Sequence, residues 1–183
     1  MRTTPRDTNA RHAQHALALA GTGRHQDAAA LFNRHLAAEP TDTMSCSILA
    51  HCRRELGDPE GALDATDKHL RHDPTDAYVW RIRALTQQTL ERQPDAVDAA
   101  AEAVRQAPNG RTTHNAHART LASLPSGLPA AYAAVVRATT LAPGEPQAHF
   151  RPGYIAQQSG DPAAAARSGT VPLSLASTKA IAS

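Results

Sequence analysis

A recurrence of 34 residues constrains this chain more than any other feature. Pro40, Pro74 and Pro108 stand 34 residues apart, and Pro143 follows after 35. Twelve residues before them lie Ala28, Ala62, Ala96 and Ala131, and twelve before the first three of those lie Ala16, Ala50 and Ala84. Ala118 takes the same place in the fourth unit, one residue further back. Gly23 and Gly57 keep the rhythm, with Glu91 and Pro125 in the matching places. Single alanines coincide easily in a chain where 39 of 183 residues are Ala. The joint register of Pro, Ala and Gly does not, and a period in this range marks an array of small supersecondary units.

Each unit reads as two helices. In the second, Thr41 or Asp42 caps a helix running to about Leu56, and Gly57 stops it. Asp58-Pro59-Glu60 restarts the chain, with Asp as N-cap, Pro at the first helical position and Glu in the first turn. This second helix runs to about His72, where Pro74 forbids continuation. Thr75-Asp76 and Gln93-Pro94-Asp95 repeat the two signals one unit later. Helices this short cannot bury their apolar sides alone, so stacking on neighbours must supply the core.

That core is thin. Leu, Ile, Val and Phe together number 28. The alanines explain how so little volume suffices: where two helices cross closest, Ala on both lets them approach at the short end of the ~8–10 Å range. Larger residues fill between units: Leu31, Phe32, Leu36, Leu49, Leu56, Leu63, Leu70, Trp80, Leu85, Val97 and Val104.

Several classes drop out. No run of 18 apolar residues exists, so no membrane span is expected. Met1 to Gln14 carries Arg2, Arg6 and Arg11 without an apolar stretch, unlike a secretory signal. Cys46 and Cys52 lie on different faces of one predicted helix and cannot pair with each other, which points to a reducing, cytoplasmic setting. The Ala and Arg richness suits a high-GC bacterial genome. No phosphate loop, Gly-x-Ser-x-Gly elbow or His-Glu-x-x-His helix is present. The chain is therefore expected to be no enzyme and to use no cofactor.

With its register placed, the chain resembles the tetratricopeptide repeat family, whose pattern is Trp-x2-Leu-Gly-x2-Tyr, then Ala-x3-Phe, then Pro. Trp80 matches the Trp position, Leu49 the Leu, and Ala16, Ala50, Ala84 and Ala118 the small residue. Ala28-x3-Phe32 with Pro40 matches the second half. His15, Arg83 and His117 depart from the Leu position. The resemblance implies an all-α helical repeat solenoid, a right-handed superhelix of about four helix-turn-helix units. After a flexible N-terminus at 1–8, the array is expected over 9–143, with units of about 9–42, 43–76, 77–110 and 111–145. A degenerate fifth unit and irregular tail fill 146–183, where Pro152, Gly153, Gly169 and Pro172 interrupt the helices.

The resemblance also implies a concave face, lined by first helices, that binds an extended peptide or partner protein. The family's groove positions fall on Met44, His51, Arg54, Tyr78, Arg81, Leu85, Gln88, Asn115 and Arg119, with Ala13, Leu17, Ala20, Ser47, Glu55, Thr112 and Ser123 beside them. A fifth unit would add Phe150, Tyr154 and Gln157. Arg54, Arg81 and Arg119 would favour an acidic ligand, since guanidinium binds carboxylate bidentately; the plainer reading has them solvated or paired with Glu55 and its neighbours.

Two other classes stay in view: a helical repeat binding single-stranded RNA, and an oligomerisation module completed by self-association. Residues 111–183 carry six basic against two acidic residues, but aromatics are few and no repeated polar reading position appears, so nucleic acid is the less favoured partner. The histidine pairs His12/His15, His69/His72 and His114/His117 put two imidazoles on one helix face. Two ligands make no zinc site, and no Cys or carboxylate is placed by the sequence to complete one, so the expected role is packing and the expected metal content none.

Overall fold

The structure, a computed structural model, describes residues 5–124 and 126–141. Among the described residues it has eight α-helices and no strand: α1 Pro5–Gly21, α2 His25–Ala38, α3 Thr43–Glu55, α4 Pro59–Leu70, α5 Ala77–Thr89, α6 Gln93–Gln106, α7 Arg111–Leu121 and α8 Leu128–Leu141. They pack as consecutive hairpins, α1 on α2, α3 on α4, α5 on α6 and α7 on α8. The chain divides into two compact units, Met1–Gln106 and Ala107–Ser183. In the first, α2 also packs on α3 and α4 on α5, so each hairpin shares its flank with the next. The first helices α1, α3 and α5 touch in succession. The first helix starts at Pro5, four residues before the expected start of the array. The expected fifth unit, with Phe150, Tyr154 and Gln157, lies outside the described residues, as does Pro125.

The turn chemistry read from the sequence is in place. Asp42, rather than Thr41, caps α3 and accepts from the Ser45 N–H at 3.4 Å. Asp58 caps α4 through the Gly61 N–H at 2.9 Å, with Pro59 starting the helix. Asp76 caps α5 through the N–H groups of Tyr78 and Val79, at 2.8 and 3.3 Å. All three first helices of this unit end alike. The N–H groups of Gly23 and Arg24 donate to Ala20 and Leu19, those of Gly57 and Asp58 to Arg54 and Arg53, and those of Glu91 and Arg92 to Gln88 and Gln87. This is the Schellman pattern, whose outer residue must turn left-handed. Gly23 and Gly57 do so at φ 80 and 73°, and Glu91 is forced to 58°. Glu91 is the only described non-glycine residue at positive φ, a conformation costing L-residues roughly 1–2 kcal/mol.

The eight register alanines form the innermost layer: Ala16, Ala28, Ala50, Ala62, Ala84, Ala96 and Ala131 are 0% exposed and Ala118 1%. Phe32, Leu49, Cys52 and Ile82 join Ala16, Ala28 and Ala50 in one cluster, and Ala118, Ala131 and Val135 form the core of the second unit. Burying a side chain such as Phe32 contributes roughly 1.5–3 kcal/mol. Thr66, Thr86 and Thr120 are buried too, and their hydroxyls donate back to the carbonyls of Leu63, Ile82 and His117, at 2.8, 2.8 and 2.9 Å. With its own helix satisfying the hydroxyl, each threonine packs as a small apolar group. One size expectation fails: Leu56, expected between units, is 47% exposed, because the helix has already ended at Glu55. Leu31, Leu36 and Trp80 are half-buried and pack against the core, and Leu70, Val97 and Val104 are half-buried as well.

Candidate functional site

The expected groove residues fall on two units. Seven lie in Met1–Gln106, on α3 and α5, whereas Asn115 and Arg119 lie on α7 of Ala107–Ser183. On the first unit the neighbouring helices α1, α3 and α5 expose Leu17, Met44 and Tyr78, at 50, 66 and 42%. Met44 and Tyr78 hold the same repeat position. Exposed large apolar side chains thus stand on three successive first helices; joined into one strip they would suit a partner, whereas singly scattered ones are ordinary surface.

Arginines flank this strip. Arg81 stacks over the Tyr78 ring, its guanidinium carbon 5.0 Å from the centroid. Burial pushes the Arg81 pKa down; Tyr78 works against that shift and Arg54 adds to it. Burial likewise pushes the Tyr78 hydroxyl up, against the pull of Arg81 and Arg54, so both cations lie in its field. Arg54 pairs with Glu55, yet its Nε is buried without a hydrogen-bond partner among the described residues. Arg81 makes no ion pair among the described residues and has only the ring of Tyr78 to stabilise it.

The other positions divide. His51 is half-buried and meets His25 edge to face, ring centroids 5.7 Å apart; burial holds its pKa below the ordinary value. Gln88 and Asn115 are half-buried and Arg119 exposed. Leu85 is a correction: it is 8% exposed and belongs to the core, so little of it is offered to a partner.

Of the histidine pairs, His114/His117 pack as expected, buried and half-buried, whereas His15 and His72 are exposed, His12 half-buried and His69 buried. His114 takes the family's Trp position and does the tryptophan's work. Its Nε2 donates to the Pro108 carbonyl at 2.9 Å, as the Trp80 indole donates to Pro74 at 2.8 Å.

A different histidine pattern was missed. His35 and His69, and likewise Asp42 and Asp76, stand 34 residues apart. His35 is buried, its Nδ1 3.2 Å from the Asn9 carbonyl and its Nε2 2.7 Å from Asp42 Oδ2. Burial pushes Asp42 up, but hydrogen bonds from Ser45 and His35 outweigh it and leave the carboxyl below its ordinary value. His69 repeats the arrangement, with Nδ1 2.7 Å from the Thr43 carbonyl and Nε2 3.1 Å from Asp76 Oδ2. Each histidine ties the start of its own hairpin to the cap of the next. The repeat register held this signal, since His and Asp recur in phase. The sequence places no carboxylate beside a histidine, but the fold brings ligand atoms of Asp73 and Asp76 within 4.8 Å of His69 and of each other. They come from the turn between α4 and α5, which helix-face spacing does not consider.

Residues 19–86 match the model of the tetratricopeptide repeat family. No curated protein matches the chain in sequence. Among solved structures it is similar to MamA 41-end from Desulfovibrio magneticus RS-1, with a TM-score of 0.79 at 17% identity over 95% of this chain and 98% of that one. It is also similar to TTC0263, a thermophilic TPR protein in Thermus thermophilus, at 0.71 and 19% over 92% and 94%. A third is YrrB, a TPR protein with an unusual peptide-binding site, at 0.68 and 16% over 86% and 80%. The fold is therefore that of a tetratricopeptide repeat protein.

Proposed function

We propose that this protein is a non-catalytic scaffold that binds an extended acidic segment of a partner protein across α1, α3 and α5. The observation that carries the reading is Arg81: a half-buried guanidinium on an exposed apolar strip, without a carboxylate beside it among the described residues. A half-desolvated cation is costly to hold and gains most from an incoming carboxylate, a charge-assisted bond contributing about 1.5–3 kcal/mol. Met44, Tyr78 and Leu17 offer the apolar anchors such a segment needs alongside the charge. A peptide-binding relative of the same fold supports the scaffold reading. Buried free thiols at Cys46 and Cys52 suit a reducing compartment such as the cytoplasm.

The test is selection from a random peptide library displayed against the full chain. Peptides carrying Asp or Glu next to an aliphatic or aromatic residue should be enriched. Arg81→Glu should weaken their binding about tenfold or more, and Arg119→Glu on the other unit should not. Enrichment of neutral or basic peptides, or undiminished binding to Arg81→Glu, removes the acidic-ligand reading.

A further inference from the structure

We propose that His69, Asp73 and Asp76 bind one divalent transition-metal ion of the zinc class where α4 meets α5. The ring of His69 sets the geometry. A carbonyl only accepts, so Nδ1, 2.7 Å from the Thr43 oxygen, carries the proton. In the neutral ring Nε2 is then a lone pair. It is buried in a residue 3% exposed, has no hydrogen-bond partner among the described residues, and faces Asp76 Oδ2 at 3.1 Å. Two lone pairs at that distance repel unless a second ring proton or a metal ion lies between them. Tetrahedral metal bonds of about 2.0–2.2 Å place neighbouring ligand atoms roughly 3.3–3.6 Å apart; the His69–Asp76 pair is close to that at 3.1 Å, and the Asp73 ligand atom lies within 4.8 Å of both. An imidazole whose other nitrogen donates to a backbone carbonyl is also how metal-bound histidines are oriented.

The carboxylates are positioned without being used up. Asp76 Oδ1 accepts from the Tyr78 and Val79 N–H groups. Asp73 Oδ1 accepts from the Thr75 N–H at 3.0 Å and the Thr75 hydroxyl at 2.7 Å. Both residues are half-buried, which leaves an ion a way in.

The preceding repeat is a built-in comparison. There His35 Nε2 lies 2.7 Å from Asp42 Oδ2, close enough to share a proton with it, and the Ser45 hydroxyl donates to the same oxygen at 2.7 Å. That cluster is closed on itself. One period on, Ser45 becomes Val79, which has no hydroxyl, and Glu39 becomes the shorter Asp73. Those two changes free an oxygen and add a third ligand, so the ion belongs to the His69 junction and not to its twin. One imidazole nitrogen with two carboxylate oxygens favours zinc or cobalt over calcium, with water completing the shell.

The experiment titrates Zn2+ into the full chain, first stripped with a chelator, by calorimetry, and repeats it with Co2+ followed by its visible absorption. Wild type should take up one ion with a nitrogen-bearing cobalt spectrum and melt higher with Zn2+ present. Asp73→Asn, which can keep the Thr75 turn, and His69→Asn should each weaken uptake at least about tenfold. Asp42→Asn in the twin should leave it unchanged. Circular dichroism of each variant separates lost ligands from lost folding. Absence of uptake by wild type overturns the proposal, and so does uptake equal in wild type, Asp73→Asn and His69→Asn. A wild-type melt indifferent to Zn2+, beside a lower melt for His69→Asn alone, would reduce the cluster to a plain imidazolium–carboxylate pair and overturn it equally.

Discussion

Replacing Ala62 by leucine asks three more carbons to enter a place with no exposed surface. Ala62 sits on α4 and its register partner Ala50 on α3, both 0% exposed, in a hairpin whose helices pack along their length. Were there spare room, burying those carbons would stabilise the fold by roughly 2 kcal/mol. In a closed crossing the helices must separate or a side chain must leave its rotamer, and the net effect is a loss of about 1–3 kcal/mol. The sign therefore decides. Shrinking the same site must also hurt: Ala62→Gly removes a buried methyl, worth about 0.8 kcal/mol, and adds a helix-interior glycine at about 1 kcal/mol. Ala30→Leu, at an exposed alanine of α2, supplies the control and should shift stability by no more than about 0.5 kcal/mol. Urea unfolding followed by far-ultraviolet circular dichroism measures all three. If Ala62→Leu proves as stable as wild type or more so, the alanines are not contact points and the account of the thin core is wrong.

Other consequences can be checked with the same assay. Glu91→Gly relieves a left-handed residue at φ 58° and, after the entropy of a new glycine is subtracted, should stabilise by about 0.5–1 kcal/mol; a loss would show that the Glu91 side chain matters more than its backbone. Asp42→Ala removes the cap of α3 and strands His35 Nε2, so it should cost roughly 2–4 kcal/mol, whereas Asp42→Asn, which keeps the cap, should cost less; equal costs would refute the role given to His35. His51 and His117 are held below their ordinary 6.5 chiefly by burial. The unfolded chain therefore takes up protons at a pH where the folded one does not. Their contribution to stability is complete above 6.5 and is lost as pH falls through that value toward the folded pKa. Melting should be lower at about pH 5.5 than at about pH 7.5. Glutamine at both positions should flatten that slope, and an unchanged slope would place the sensitivity elsewhere.

What the sequence disclosed followed from what the repeat leaves unvaried. Helix stops at Gly23 and Gly57, caps at Asp58 and Asp76, and the buried alanines each depend on backbone geometry within one turn or on the closest crossing, and such constraints leave a residue-level mark. The site was less legible because it depends on direction. Leu85 and Arg81 are four apart on one helix, yet one is buried and the other stacks half-buried on Tyr78, a difference that sequence spacing alone does not encode. The His69 cluster escaped because its carboxylates come from a turn, and helix-face spacing does not foresee what a turn folds back upon.

Small inner residues also shape how such a molecule can change. Between the second and third hairpins the exposed Met44 becomes Tyr78, while Ala50 reappears as Ala84. A methyl group commits little volume to any one neighbour, so a copied hairpin docks beside its parent whatever its outer positions carry. Duplicated segments of this kind can drift toward new ligands one outward substitution at a time, their mode of assembly inherited unchanged.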